Sequence, residues 1–434
     1  MVQSFLSFVK QSPTAFQAVA ALRDRLEQDG FVPLSEADAW EIIPGGRYYV
    51  TRNGSSLIAF AVPPEGARPF QIVASHSDSP MFKLKPLCED AAAGCTRLNV
   101  ERYGGTIYST WFDRPLGIAG RVLVWEGGRL LSRLVDLGRD AALIPNMPIH
   151  FNREVNDGYK YNPQVDLLPV YGLGGQTGRL MEEVAQRLNV RRDAIAGADL
   201  FVYNRMAGTV WGPEGELFSC PRIDDLECAF ASVEAFAQTP ARGHINLCAV
   251  MDNEEVGSGT KQGADSTFLG DVCRRACAAL GATDAQTRAL IAGSFMVSAD
   301  NAQAVHPNHP EKYDAQNRTQ LNAGVVIKHN ANQSYTTDGV SAAIFSSVCA
   351  GAGVPVQHFA NRSDVPGGST LGHIANAHVS MNTVDIGLAQ WAMHSAYETA
   401  GVKDLRYLVD ALRGFYQTNI RFLADGAYSL EEGR

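Results

Sequence analysis

The sequence predicts an α/β protein, with a mixed β-sheet flanked by helices and interrupted by an inserted, mostly-β domain. Three observations lead there. Short apolar runs alternate with helix-like stretches in both outer parts of the chain, the pattern of a mainly parallel or mixed sheet covered on both faces. Between about residues 88 and 218 the texture changes to short alternating runs separated by Gly-rich turns. Several apolar runs also end on His, Asp or Glu, at the strand ends that form the ligand-binding edge of such a sheet.

Residues 5–28 read as helical, with Ser12-Pro13-Thr14 as a break and restart and Phe16, Val19, Ala20 and Leu22 as the apolar side. Residues 48–52 and 56–60 flank Asn53-Gly54, a hairpin signal. The strand 70–74 then leads into His76. Within 88–218 only residues 179–188 read as a clear helix; runs such as 120–125 and 130–135 read as strands. His76 and Asp224 are too far apart for one strand-to-strand crossover, so a domain inserted between them is the economical account. That divides the chain into a discontinuous catalytic domain, 1–87 with 219–434, and an inserted β-rich domain, 88–218. Beyond the insert we expect helices at 225–238, 266–291, 338–350 and 402–422, and strands at 245–250, 294–297, 323–327, 354–359 and 379–386.

The 434 residues are 45% hydrophobic and carry 46 acidic against 37 basic residues, with no basic stripe that would track a phosphate backbone. Nucleic acid is therefore not an expected partner. No stretch approaches the length of a membrane span, and Met1-Val2-Gln3-Ser4-Phe5 lacks the basic and apolar regions of a signal peptide. Eight cysteines show no CxxC pair and no disulfide framework, which fits buried thiols in a reducing, cytoplasmic setting. Cys273 and Cys277 are four apart on an expected helix, but no His accompanies them, so they read as packing residues.

Five segments carry the chemistry. They are Ser75-His76-Ser77-Asp78, Arg222-Ile223-Asp224-Asp225, Asp252-Asn253-Glu254-Glu255, Ser298-Ala299-Asp300 and Ala392-Met393-His394-Ser395. Each has an ordinary reading: a solvated turn histidine, a helix cap, an Asx-turn, a capping histidine at a helix start. Asp252 to Glu255 is the hardest to dismiss, because adjacent carboxylates in a cramped turn are costly without a cation. Jointly, two His and three carboxylates suit two divalent ions, zinc being the best match, with one carboxylate left for proton transfer. Asp78, two residues beyond His76, can orient that ring from behind. A two-metal hydrolase is the reading, with aminopeptidase, carboxypeptidase and deacylase chemistries all open.

These segments, together with Val256-Gly257-Ser258 after Glu255 and His306-Pro307-Asn308 after Asp300, resemble the M18 metallopeptidases, the aspartyl aminopeptidase family, in order along essentially the whole chain. The resemblance implies a zinc-peptidase fold. It also implies two zinc ions, with cobalt or manganese as alternatives, bridged by Asp224. His76 and Asp300 would complete one ion, Glu255 and His394 the other. Glu254 would be the general base toward a water made more acidic by the ions, and Asp78 the carboxylate behind His76. Lys328 and Tyr335 would hold the substrate, and His150 would be lent by the inserted domain to a neighbouring subunit of a dodecamer built from dimers. Substrates would be peptides with free N-termini, acidic residues among them. Gln303 stands where many relatives carry a substrate-contacting histidine; a glutamine hydrogen-bonds but carries no charge, which weakens the case for strict acidic specificity. His373 follows Gly372 where a proline is common.

Overall fold

The computed structural model describes residues 1–432. At its centre is a nine-stranded sheet. Its order is Val32–Pro33, Arg47–Arg52, Ser56–Ala61, Ile245–Met251, Phe70–His76, Phe295–Ala299, Asn382–Gly387, Val325–His329 and Val356–Ala360. The three central strands are parallel. Met251 stands beside His76 in register, and Phe295 pairs with Gln71 on the other flank. The turns after His76, Met251 and Ala299 therefore open at one carboxyl edge, which brings three distant motifs together.

These strands are buried on both faces, and their side chains sort with period two. Val73, Cys248, Val250 and Val297 face one layer with Phe5, Phe236, Leu408 and Phe415. Ile72, Leu247, Ala249 and Met296 face the other with Phe268, Val272 and Leu371. The two layers come from the helices Val2–Gln11, Ala15–Gln28, Ile223–Ala237 and Asp404–Gln417 on one side and Phe268–Ala279 and Leu371–His378 on the other. Cys273 and Cys277 sit fully buried in the second layer as packing residues.

A second sheet of six strands runs between Met81 and Asn204. Its order is Arg129–Asp136, Leu116–Glu126, Ile195–Asn204, Met81–Ala92, Cys95–Tyr103 and Val170–Leu173, and it has its own apolar cluster around Phe82, Trp111, Ile118 and Leu200. Helix Arg179–Leu188 lies where the sequence puts it, and a short turn of helix at Pro163–Asp166 is an addition. A five-stranded sheet joins Thr209–Trp211, Leu217–Cys220, Glu398–Gly401, Ala389–Trp391 and Ala302–Gln303.

Several elements differ from the expectation. His394 does not start a helix; it sits in the turn between the strands Ala389–Trp391 and Glu398–Gly401, with φ +68°. The stretch 266–291 is two helices, broken at Gly281 (φ +83°), where a left-handed residue ends the first. The strand expected at 379–386 begins only at Asn382, and the helix Leu371–His378 before it is an addition. The last helix stops at Gln417, and the β-branched, apolar run beyond it pairs with Ala427–Glu432 as a hairpin.

At the amino end of the strand Ile245–Met251, opposite the carboxyl edge, His244 is 3% exposed, and its Nε2 lies 3.1 Å from the Tyr416 carbonyl. Burial holds its imidazole down to about 4. The unfolded chain takes up this proton near pH 6.5 and the folded chain only near 4, so stability is lost as pH falls through that window, by up to about 3 kcal/mol. Melting temperature should drop more steeply between pH 6.5 and 4 in the wild type than in His244→Gln; parallel profiles would show that His244 does not carry the effect.

Candidate metal centre

Asp224 lies at the middle of the site. Its Oδ1 is 3.5 Å from His76 Nε2 and its Oδ2 is 3.4 Å from His394 Nε2, so each carboxylate oxygen faces one histidine. Asp300 Oδ1 lies 3.8 Å from His76 Nε2, and Glu255 Oε2 lies 3.5 Å from His394 Nε2. Glu254 approaches from the rim, Oε2 4.0 Å from His76 Nε2. All six side chains fall into groups whose donor atoms lie within 4.8 Å of one another, as does Asp225.

Local backbone puts them there. Arg222 caps the helix Ile223–Ala237 at φ +59°, and Asp224 and Asp225 depart from helical geometry inside its first turn, which turns Asp224 into the site. Asn253 at φ +63° bends the chain after Met251 so that Glu254 and Glu255 fold back over the sheet edge. Strained left-handed residues at three ligand-bearing turns are what a preorganised site costs.

Asp78 lies behind His76, its Oδ1 3.3 Å from Nδ1. It also accepts the N–H groups of Glu254 and Glu255, each at 3.2 Å, and the Tyr103 hydroxyl at 2.7 Å. His394 Nδ1 donates to the Gly105 carbonyl at 3.1 Å, which leaves Nε2 free as an acceptor or ligand. A Cβ on Gly105 would sit 3.1 Å from that Nδ1, and one on Gly104 would sit 3.1 Å from the Glu255 Cβ, so this approach needs glycine. Tyr103, Gly104, Gly105 and Glu398 were not singled out from sequence, and Asp225 only as the neighbour of Asp224. Only the glycine pair, ending an alternating run, carries a signal of close backbone approach.

Lys328 is not a solvated lysine. It is 3% exposed, with Nζ 3.6 Å from Asp300 Oδ2, donating to the Asn301 carbonyl at 3.0 Å and lying 5.4 Å from the Tyr335 ring centre. Burial opposes its charge, but Asp300 keeps the ammonium protonated, above its ordinary range. Gln303 is exposed on the short strand Ala302–Gln303, three residues beyond Asp300. His150 is exposed on the irregular stretch 146–162. His373 Nδ1 is 2.8 Å from the Thr370 carbonyl, a helix-start contact.

The donor set fits divalent metal. Asp224 Oδ1 and Glu255 Oε1 are buried and lack a hydrogen-bond partner among the described residues, a costly state for carboxylate oxygens that a cation would relieve. Burial pushes Glu254 up to about 8, with Asp300, Asp78 and Asp224 adding to it against His76. Burial would lower His394, yet Asp224 and Glu255 pull it up to about 10. The cluster draws positive charge onto every group that can carry it.

Histidines and carboxylates gathered at the carboxyl edge of an α/β sheet define a class, the metal-dependent hydrolases. The sequence model of the aminopeptidase I zinc metalloprotease (M18) family matches residues 8–416, and the chain belongs to that family. It is a metallo-aminopeptidase, as the motif resemblance implied. The probable M18 family aminopeptidase 2 of Clostridium novyi (strain NT) is 42% identical over 421 residues, 95% of this chain and 97% of the relative. That of Pseudomonas aeruginosa (strain UCBPP-PA14) is 43% identical over 428 residues, 96% and 98%. Among solved structures, the Ape4 and Nbr1 complex superposes at TM-score 0.92 with 34% identity, over 95% of this chain and 85% of that one. The S. cerevisiae mApe1 dodecamer superposes at 0.84 with 28% identity, over 95% of each. Among the described residues no helix is long and apolar enough to cross a membrane.

Proposed function

We propose that the chain removes N-terminal residues from peptides at a centre of two divalent ions, zinc in the first instance. The observation that carries this is Asp224, each of whose oxygens faces a different histidine. His76 and Asp300 would hold one ion, Glu255 and His394 the other, and Asp224 both. When bound, the ions supply Lewis acidity toward the scissile carbonyl and lower the pKa of water. Glu254 Oε2 takes the proton of the attacking water and delivers it to the leaving amine. Asp78 fixes the His76 ring through Nδ1 and, by accepting the N–H of Glu254, the base as well.

Lys328 and Tyr335 would position the substrate, with Gln303 at the rim. The Lys328 ammonium is already shared by Asp300 and the Asn301 carbonyl. An acidic N-terminal side chain would therefore share that cation, and Asp or Glu is preferred without being exclusive. Residues 88–218 act as an oligomerisation domain in a homo-oligomer, a dodecamer like that reported for S. cerevisiae mApe1. His150 would reach a neighbour's site from there. In support, Met147, Ile149 and Phe151 around it are 58%, 54% and 83% exposed, apolar area suited to burial in assembly. Eight free cysteines, six of them buried, support a cytoplasmic setting.

Hydrolysis of unblocked aminoacyl peptides by zinc-reconstituted protein tests this, with chelated protein and N-acetylated peptides as controls. We expect metal-dependent release from free N-termini alone, fastest for Asp and Glu. Cleavage of N-acetylated peptides instead, at full zinc occupancy, would favour the deacylase or carboxypeptidase reading.

A further inference from the structure

The turns that carry the candidate ligands come from five separate parts of the chain, and several of their peptide N–H groups bond to side chains instead of backbone carbonyls. A buried N–H left unpaired costs on the order of 1–3 kcal/mol, so each needs an acceptor. The acceptors are carboxylates, and each one takes N–H groups from the site's own turns. Glu398 Oε2 accepts the N–H of Asp224 at 3.1 Å, and its Oε1 accepts that of His394 at 2.7 Å. Asp225 Oδ2 accepts the N–H of His76 at 3.0 Å, and its Oδ1 accepts that of Asn301, next to Asp300, at 3.2 Å. Glu398 is 1% exposed and Asp225 0%.

We propose that Glu398 and Asp225 are positioning residues of the metal centre, each a buried carboxylate that clamps the backbones of two ligand-bearing turns into one frame. The inference rests on the metal-centre reading above. Glu398 joins Asp224 to His394, from opposite ends of the catalytic half of the chain. Asp225 joins the His76 turn to the Asp300 turn. Asp225 lies within reach of the ligand atoms, but both its oxygens are already taken by N–H donors. Charge-assisted hydrogen bonds of this kind are roughly twice as strong as neutral ones, which suits the load they carry. His394 is held at φ +68° and Arg222 at φ +59°, conformations that relax unless the surroundings fix them. The single Oε1 contact to the His394 N–H holds the first of these.

A purely structural role would be met by any acceptor that satisfies the donors, and its loss would lower stability alone. A positioning role also sets metal affinity in the folded protein. Glu398→Gln separates the two, because the amide keeps one acceptor oxygen and turns an NH2 against the other N–H. In the full chain we expect native far-UV circular dichroism without metal, zinc affinity ~10–100-fold weaker by chelator competition, and, at saturating zinc, a lower kcat with KM little changed. Asp225→Asn should behave alike. Zinc affinity and kcat within about twofold of wild type, in folded protein, overturn the proposal. His394→Ala is the control. If it keeps both zinc ions, the metal-centre reading itself fails; if it loses zinc while Glu398→Gln does not, only the positioning inference fails. Should both carboxylate variants fail to fold, hydrogen exchange on metal-free wild type decides: peptides spanning 222–226 and 392–396 must be protected, and rapid exchange there overturns the frame.

Discussion

Glu254→Gln is expected to lower kcat by roughly 10²–10⁴-fold while zinc content, assembly and KM stay near wild type. The substitution is nearly isosteric and removes only the capacity to take up a proton. Glu254 is the most open carboxylate of the cluster, its side chain 13% exposed against 5% for Glu255 and 3% for Asp224, as a group that must meet water and the leaving amine requires. Its backbone N–H is anchored on Asp78, so the side chain moves protons from a fixed root. A loss confined to kcat marks an interaction made in the transition state, whereas a matching rise in KM would mark a binding role. Near-normal turnover with full zinc occupancy would remove Glu254 from the base role.

The strands that matter were legible because burial on both faces makes them short continuous apolar runs, and because their ends switch abruptly to His, Asp and Glu. The runs before His76, Asp252 and Asp300 all form parallel neighbours in one sheet. His394 was legible as a residue but not as a position. It lies between three-residue and four-residue strands, too short for periodicity to register, and the turn takes its shape from the Glu398 carboxylate, which also holds the Asp224 N–H 174 positions away. Beyond Asp78, the supporting shell escaped notice for the same reason. Tyr103, Asp225 and Glu398 act through hydrogen bonds that mostly join distant positions, 25 apart for Tyr103 with Asp78, 149 for His76 with Asp225 and 174 for Asp224 with Glu398, and no spacing rule encodes that. The resemblance makes Lys328 a substrate anchor; its burial against Asp300 depends on a strand two places away in the sheet, which one-dimensional reading does not supply.

Asp224→Asn is expected to be the most damaging change of all, and in a way that differs from the loss of the base. Asparagine presents one oxygen and one NH2. Whichever way the amide turns, the NH2 faces one of the two histidine Nε2 atoms that lie 3.5 and 3.4 Å from the native oxygens. One side of the centre then loses its bridging donor and gains a competing hydrogen-bond donor. Zinc content should fall from two ions per chain toward one or none. If the lost ligation is worth on the order of 4 kcal/mol in the transition state, kcat/KM should fall by about 10³-fold or more. Stability should report the same event with and without metal. Without metal, burial opposes the Asp224 charge but His394 and His76 hold its carboxyl well below the ordinary range, so that charge favours the folded chain and the variant should melt below wild type. With zinc, ligand binding stabilises only a chain that holds the metal, so the rise in melting temperature seen for wild type should shrink in Asp224→Asn and persist in Glu254→Gln. Equal zinc-induced shifts in all three proteins would mean that Asp224 is not the residue both ions share.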